Sequence, residues 1–303
     1  MANEVYYSGL TSSARVSAVL SQMIAVKLYD TASLINHPSI MRVNAAPGST
    51  SVQIPVISWG ADAMASVAEN ASVSNTALTT TAATCTLARQ ALRRQISDLA
   101  QATAQGVPFD VTIDNIASDM VSAWSKRGTT MITALASGFS NSVGSTGVDL
   151  SVSTFYSAIF QLQLVANSGQ FVAVLHNGQI NDLMSSLRSE TGPGIYLPST
   201  QEALMAKGPG FKGQLFGVDL FGSNTVANNG VDYTGMMFAP NAIAMATASV
   251  SPIIGATTTQ PVVPVTVEFE RDASGGSSII VGSLLAGVCE VDDAKGVAIL
   301  SDF

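Results

Sequence analysis

Charge is scarce in this sequence. Asp, Glu, Lys and Arg make up 11 % of its 303 residues, less than half of the roughly 25 % of an ordinary soluble domain. Much of the surface must therefore be Ser, Thr, Ala, Asn and Gly, which suits burial against further copies of the chain. The few charges are also unevenly placed. Residues 1–137 carry 8 basic and 8 acidic groups and residues 138–303 carry 5 and 13, so the whole net charge of -8 falls in the second part. A body this acidic does not wrap nucleic acid by neutralising phosphates.

Cysteine and histidine are nearly absent, with two of each. Cys85 and Cys289 show neither a CxxC pattern nor a nearby histidine, which predicts two buried free thiols in a reducing compartment and no disulfide framework. His37 and His176 lack a carboxylate or thiol at metal-ligand spacing, so they read as hydrogen-bonded structural side chains. From two histidines and two unpartnered cysteines no nucleophile, base and orienting group can be assembled, so no enzyme, metal or cofactor is expected. The start, MANEVYYSGLTSS, has no basic segment leading into an apolar run and so no secretory signal. The longest uncharged interval, Tyr233 to Val267, is interrupted by Pro240, Asn241, Pro252, Pro261 and Pro264, and reads as buried strands and turns rather than a membrane span.

What the sequence does hold is core material, at 47 % hydrophobic residues, and one long periodic stretch. Between Pro108 and Gly138, the residues Ile113, Ile116, Ala117, Met120, Val121, Trp124, Met131, Ile132 and Leu135 recur at steps of three and four, with a gap at Arg127 and Gly128. Pro108 and Asp110 mark a helix start, Asp114 adds negative charge to the first turn, and Gly138 follows the last stripe residue. The pattern predicts a helix about 39 Å long that needs a broad surface to lie on.

Before this spine, Ser12 to Ile35 keeps a helical period and continues into the extended segment Ile40 to Val43. Thr50 to Ser58 alternates as a strand, with Pro55 calling for a free edge. Residues 60–83 are small and polar, and Thr84 to Ile96 is again extended, so the two strands frame a projecting loop. After the spine, Gly138 to Gly147 reads as a Ser/Gly-rich linker and domain boundary. Helices are expected at Ser153 to Ala166 and Asn177 to Arg188 around a short strand, Phe171 to Leu175. Further strands are expected at Leu215 to Phe221, Met236 to Ala246, Val262 to Asp272, Ser278 to Glu290 and Gly296 to Leu300.

Chemical motifs are few. Gly208-Pro-Gly210-Phe-Lys-Gly213 matches a dinucleotide fingerprint as a string, yet it includes Pro209 and opens no helix. Glu268 and Glu270 share a strand face beside Arg271 and read as an exposed, salt-linked strand rather than an acid/base pair. Asp292 and Asp293 read as a turn. Arg89, Arg93 and Arg94 form the one basic concentration, suited to phosphate or to an acidic neighbouring copy.

The order of parts carries a resemblance. A helical arm comes first, then a loop framed by STSVQIPVISWG and ATCTLARQALRRQ, then the long helix. A mixed unit with FVAVLHNGQINDL and GQLFGVDLFGSNTV follows, and the chain closes on VTVEFERDA and SIIVGSLLAGVCEVDDAKGVAILSDF. Over nearly the whole chain this resembles the major capsid proteins of tailed bacteriophages with the Hong Kong 97-type fold. The resemblance implies an α+β chain with an N-terminal arm (1–46), an extended loop (47–82), a peripheral domain with the spine helix (83–137 and 258–303) and an axial domain (138–257). It implies partners in kind: copies of the chain itself in pentamers and hexamers, a separate scaffolding protein because the arm begins within about ten residues of Met1, a portal, and enclosed double-stranded DNA without sequence-specific binding. Arg89, Arg93 and Arg94, with Trp59 and Glu69 on the loop, become candidate inter-subunit contacts. An encapsulin-like compartment shares the fold and is the alternative, and a secreted low-charge surface protein ranks below both.

Overall fold

The apolar stripe of the central segment forms the helix it predicts, and that helix lies across a sheet. In the computed structural model the residues described are 34–46, 49–58, 66, 67, 69, 79–99, 109–165, 170–189, 196–198, 210–228, 230–248 and 266–302. The expected N-terminal helix, apart from Leu34 and Ile35, and Trp59, Pro108 and residues 249–265 lie outside them.

Among the described residues the elements run β1 (Met41–Asn44), β2 (Ser51–Ser58), β3 (Thr79–Thr86), β4 (Ala88–Ser97), α1 (Phe109–Thr133), β5 (Ser142–Gly144), α2 (Val152–Val165), β6 (Val172–Leu175) and α3 (Asn177–Ser189). They continue with β7 (Tyr196–Pro198), β8 (Phe211–Leu215), β9 (Val218–Gly222), β10 (Ala227–Asn228), β11 (Asp232–Phe238), β12 (Ile243–Ala248), β13 (Thr266–Asp272), β14 (Ser277–Glu290) and β15 (Gly296–Asp302). A 3₁₀ turn, Ala134–Gly138, extends α1.

The first sheet is built on β14, the longest strand. One edge of β14 carries β4, from Ser277 opposite Ser97 to Ala286 opposite Ala88. Its other edge carries β13 and then β12, with β1 parallel beyond β12. Helix α1 covers this sheet. Ala117, Met120, Val121, Trp124 and Ile132 are buried with Ile280, Leu284 and Ala286, and Leu92 and Ile96 pack against them. Lys126 and Arg127 are exposed, as the stripe requires. The gap in the stripe has a cause: Gly128 is buried beneath Ile35, and a Cβ there would collide with the Ile35 side chain.

The second sheet has the order β5-β15-β11-β6-β9-β8-β7, with β10 beside β11. Helices α2 and α3 cover one face through Phe155, Ile159, Leu162 and Leu183. The opposite face, with Val172, Val174, Phe221 and Phe238, joins the core under α1. The third sheet is the hairpin β2–β3, paired from Ser51 opposite Thr86 to Ser58 opposite Thr79. Among the described residues it is fastened through its inner half, where Ile54 and Cys85 pack with Ala244, Ala246 and Cys289.

Several sequence expectations are corrected. Cys85 and Cys289 are not free thiols but a disulfide with Cα atoms 5.0 Å apart, because β3 runs beside β14. The extended run from Thr84 to Ile96 is two strands, β3 and β4, in different sheets, with the break at Leu87. Leu215 to Phe221 is a hairpin rather than one strand. Phe216 and Gly217 both have positive φ, 51° and 81°, the backbone of a two-residue turn that glycine adopts freely. Phe216 is held there by an edge-on contact with Tyr156 at 5.8 Å. Met236 to Ala246 is likewise two strands, since Pro240 and Asn241 (φ 62°) turn the chain from the second sheet into the first. The expected linker 138–147 contains β5, parallel to β15. Asp110 lies inside the first turn of α1 rather than capping it.

Candidate subunit interface

Two buried polar anchors brace the body, one tying the segment before β1 to the second sheet and the other tying α3 to that same sheet. His37, buried at the end of the arm, has Nε2 3.3 Å from Asp219 Oδ2 on β9, while its Nδ1 accepts from the Ser39 backbone N–H at 3.2 Å. Since Nδ1 accepts, the proton sits on Nε2 and the ring donates to Asp219. Gln214 donates to the other carboxylate oxygen at 2.6 Å. On the far side, Gln179 is fully buried and makes three bonds: its Oε1 accepts from His176 N, and its Nε2 donates to Ile299 O and Ser301 Oγ. His176 itself stacks on Tyr233 at 3.9 Å, and burial lowers its pKa, favouring the neutral ring. Both histidines are thus hydrogen-bonded parts of the framework.

Of the G-x-G-x-x-G string, Gly208 and Pro209 lie outside the described residues, and Gly210 to Gly213 enters strand β8 with no helix following, unlike a phosphate loop. Asp292 caps the turn Asp293–Lys295, accepting from Ala294 N and pairing with Lys295 at 2.9 Å. Among the described residues no group of His, Cys, Asp and Glu could hold a metal ion, and no helix is long and apolar enough to cross a membrane. A cavity of about 340 Å³ opens between α1 and the β4–β14 pair, lined by Leu92, Met120, Trp124 and Leu284.

The arginines of β4 divide by face. Leu92 and Ile96 face α1, and Arg94 lies on that same side, paired with Asp119 of the helix. This hydrogen bond raises the Arg94 pKa and holds the Asp119 carboxyl below its usual range. Beside it, Arg127 donates to Gln90 at 2.9 Å. Arg94 therefore ties the spine to its own sheet, although the pair is exposed and contributes little to stability. Arg89 and Arg93 project from the other face and are exposed. At the end of the sheet Arg271 pairs with Asp98, whose carboxyl is lowered first by that hydrogen bond. Glu268 and Glu270 are exposed and not joined to Arg271, so the salt link expected on this strand reaches across the sheet instead. Glu69 is exposed near the hairpin tip.

The sequence singled out these charges but could not place them on faces. It missed Asp119 as a partner and the role of Gln179, whose type carries no signal within a helix.

No protein-family model matches the chain, and no curated protein matches it in sequence. Solved structures do resemble it. The capsid of Ralstonia phage GP4 aligns with a TM-score of 0.58 at 12 % identity, covering 87 % of this chain and 87 % of that one. A structure from Mycobacterium phage Che8 aligns at 0.53 and 18 % identity, covering 83 % and 84 %. The encapsulin of the holo-SrpI complex from Synechococcus elongatus PCC 7942 aligns at 0.58 and 10 % identity, covering 86 % and 84 %. The chain has the α+β fold of Hong Kong 97-type capsid proteins.

Proposed function

We propose that this chain is the major capsid protein of a tailed phage, a structural protein rather than an enzyme, whose copies assemble as pentamers and hexamers into an icosahedral head. The observation that carries this reading is the extent of the likeness to the GP4 capsid, 87 % of both chains, which is more than one shared module could account for. In this reading residues 1–46 form the arm and 47–82 the extended loop. Residues 83–137 and 258–303 form the peripheral domain and 138–257 the axial one. Across those borders β12 completes the first sheet and β15 the second, which ties the two domains into one subunit.

A projecting hairpin that, among the described residues, is attached only through its inner half gains little within the subunit, and its exposed strands are available to a neighbour. The net charge of -8 suits the lining of a container for double-stranded DNA, because a lining that bound the polymer tightly would obstruct packing and release. A separate scaffolding protein and a portal complete the set of partners, with assembly in the host cytoplasm and the finished protein in the virion.

Electron microscopy of the purified chain, expressed alone and with the scaffolding protein of its own genome, tests the proposal. Closed particles, tubes or rings are expected. A monodisperse monomer at high concentration in both cases would overturn it. The encapsulin neighbour favours a second reading, a cellular compartment, and the contents separate the two: nucleic acid for a phage head, a protein cargo for a compartment.

A further inference from the structure

Strands β4 and β13 lie on opposite edges of β14, and among the described residues each pairs with β14 alone. Among the described residues they are the two open edges of this part of the sheet, and they differ in charge. Directly opposed residues on neighbouring strands share a face. Val281 of β14 stands opposite both Arg93 of β4 and Glu268 of β13, so Arg93 and Glu268 project from one face on either side of it. Alternation puts Arg89 and Glu270 on that face too, whereas Leu92, Ile96 and Val267 point to the core under α1. With strands about 4.8 Å apart, the two charged rows stand roughly 10 Å from one another across β14.

All four side chains are exposed, and none forms an ion pair with another described residue. Asp272 at the end of β13 is a further acidic group on that edge, its carboxyl held below the usual range chiefly by hydrogen bonds from Gly275 N–H and Ser274, with Arg93 across β14 a smaller electrostatic contributor. Arg94 and Arg271, by contrast, are already paired with Asp119 and Asp98 on the core side. The chain thus presents a basic edge and an acidic edge on one face of one sheet. A two-fold contact through either edge would set like charges together. A head-to-tail contact sets unlike charges together and repeats from copy to copy.

We infer that the β4 edge of one copy, through Arg89 and Arg93, docks against the β13 edge of a second copy, through Glu268 and Glu270. This rests on the shell reading, because it takes the partner to be another copy in a closed lattice. The arrangement gives the few charges of the chain a function in orientation. They set the direction in which copies add, while the low-charge surface supplies the area.

Charge reversal tests it. One protein carries Arg89→Glu with Arg93→Glu, so both edges are acidic; a second carries Glu268→Arg with Glu270→Arg, so both are basic. Circular dichroism checks that each is folded, and neutral versions made with Gln replace any that is not. Association is read by analytical ultracentrifugation and particle yield by microscopy. Each reversed protein alone should assemble at least tenfold less than wild type, the equimolar mixture should associate, and a single chain with all four changes should recover particles. Raised salt should weaken wild-type association.

Reversed proteins that assemble as well as wild type would overturn the inference while leaving the shell reading intact. So would a folded four-fold variant and a mixture that both stay unassembled. If the arginine changes instead abolish retention of double-stranded DNA with no effect on association, the basic edge is a nucleic-acid contact and the inference falls. If wild type forms no particles under any condition, the shell reading falls, and association of the mixture of reversed proteins still decides whether the two edges recognise each other.

Discussion

Cys85 and Cys289, 204 residues apart in sequence, are joined across the line where strand β3 leaves the body of the subunit to form the projecting hairpin. The bond fixes the root of the hairpin to the longest strand of the first sheet. A crosslink closing so long a loop removes much of the unfolded chain's freedom, so its loss should cost about 2–5 kcal/mol. Denaturant unfolding with and without reductant measures this, and the Cys85→Ala, Cys289→Ala double variant should match the reduced wild type. Before reduction the denatured protein should show no reactive thiol. Two titratable thiols at that point would disprove the bond.

Trp124 and Lys126 test the orientation of the spine. Trp124 is buried against the first sheet and Lys126 is exposed two residues later. Trp124→Ala should destabilise the subunit by about 3–5 kcal/mol. Lys126→Ala should change stability by less than about 0.5 kcal/mol. Chemical denaturation of the two variants side by side decides it, and equal effects would put the wrong face inward.

The spine was legible because a single stripe over more than twenty residues has no competing reading, and its one gap proved to be a packing site. The second sheet was legible as a set of strands but not as a set of connections. Phe216-Gly217 and Pro240-Asn241 sit within apolar runs, so each run reads as one strand where the backbone makes two. Nothing local marks that β11 belongs to one sheet and β12 to the other, since both are buried and apolar for the same reason. The disulfide was invisible for a related cause: it depends on β3 lying beside β14, a long-range adjacency that spacing alone does not encode. Arg93 and Glu268 were each noticed in the sequence, and their common neighbour Val281 is what makes them two edges of one face.

Gly128 in the middle of α1 works against helix propensity by about 1 kcal/mol relative to alanine. Alanine at this position should nonetheless destabilise, because its methyl group would meet the buried Ile35 side chain, which could shift only by giving up core contacts. Overpacking of this kind costs about 1–3 kcal/mol and exceeds the propensity gain. Ile35→Val in the same chain removes the colliding methyl and should recover part of the loss. A Gly128→Ala variant more stable than wild type in thermal melts would show that the arm does not press on the spine there.

Asp182 on α3 gives a pH dependence of known sign. Burial, followed by the charges of Asp149 and Asp302, raises its pKa. The folded chain therefore holds this proton at pH values where the unfolded chain has released it. The ionised carboxylate then opposes folding near neutral pH, and the penalty disappears as the pH falls through the raised value. Asp182→Asn should raise the melting temperature near neutral pH and leave it unchanged well below the ordinary carboxylate range. The gain should stay below about 1 kcal/mol because the group is only partly buried. A melting temperature lowered at neutral pH would mean the carboxylate has a stabilising partner.

The hairpin is where subunit stability and assembly separate most clearly. Its inner half is secured by Ile54, Cys85 and the disulfide, and Pro55 and Ala82, the next pair outward, are exposed. Of residues 60–76 only Met64, Val67 and Val73 are larger apolar groups, too few for a core of their own. Replacing residues 61–76 with a short Gly/Ser turn, while keeping β2 and β3 in register, should leave circular dichroism and a cooperative melt unchanged. It should abolish closed particles, because each inter-subunit contact loses area and a lattice of repeated modest contacts turns a small loss per contact into failure of closure. Sedimentation and microscopy of the shortened protein read the outcome. Normal particles would make the hairpin tip a dispensable excursion, and an unfolded subunit would make it part of the core.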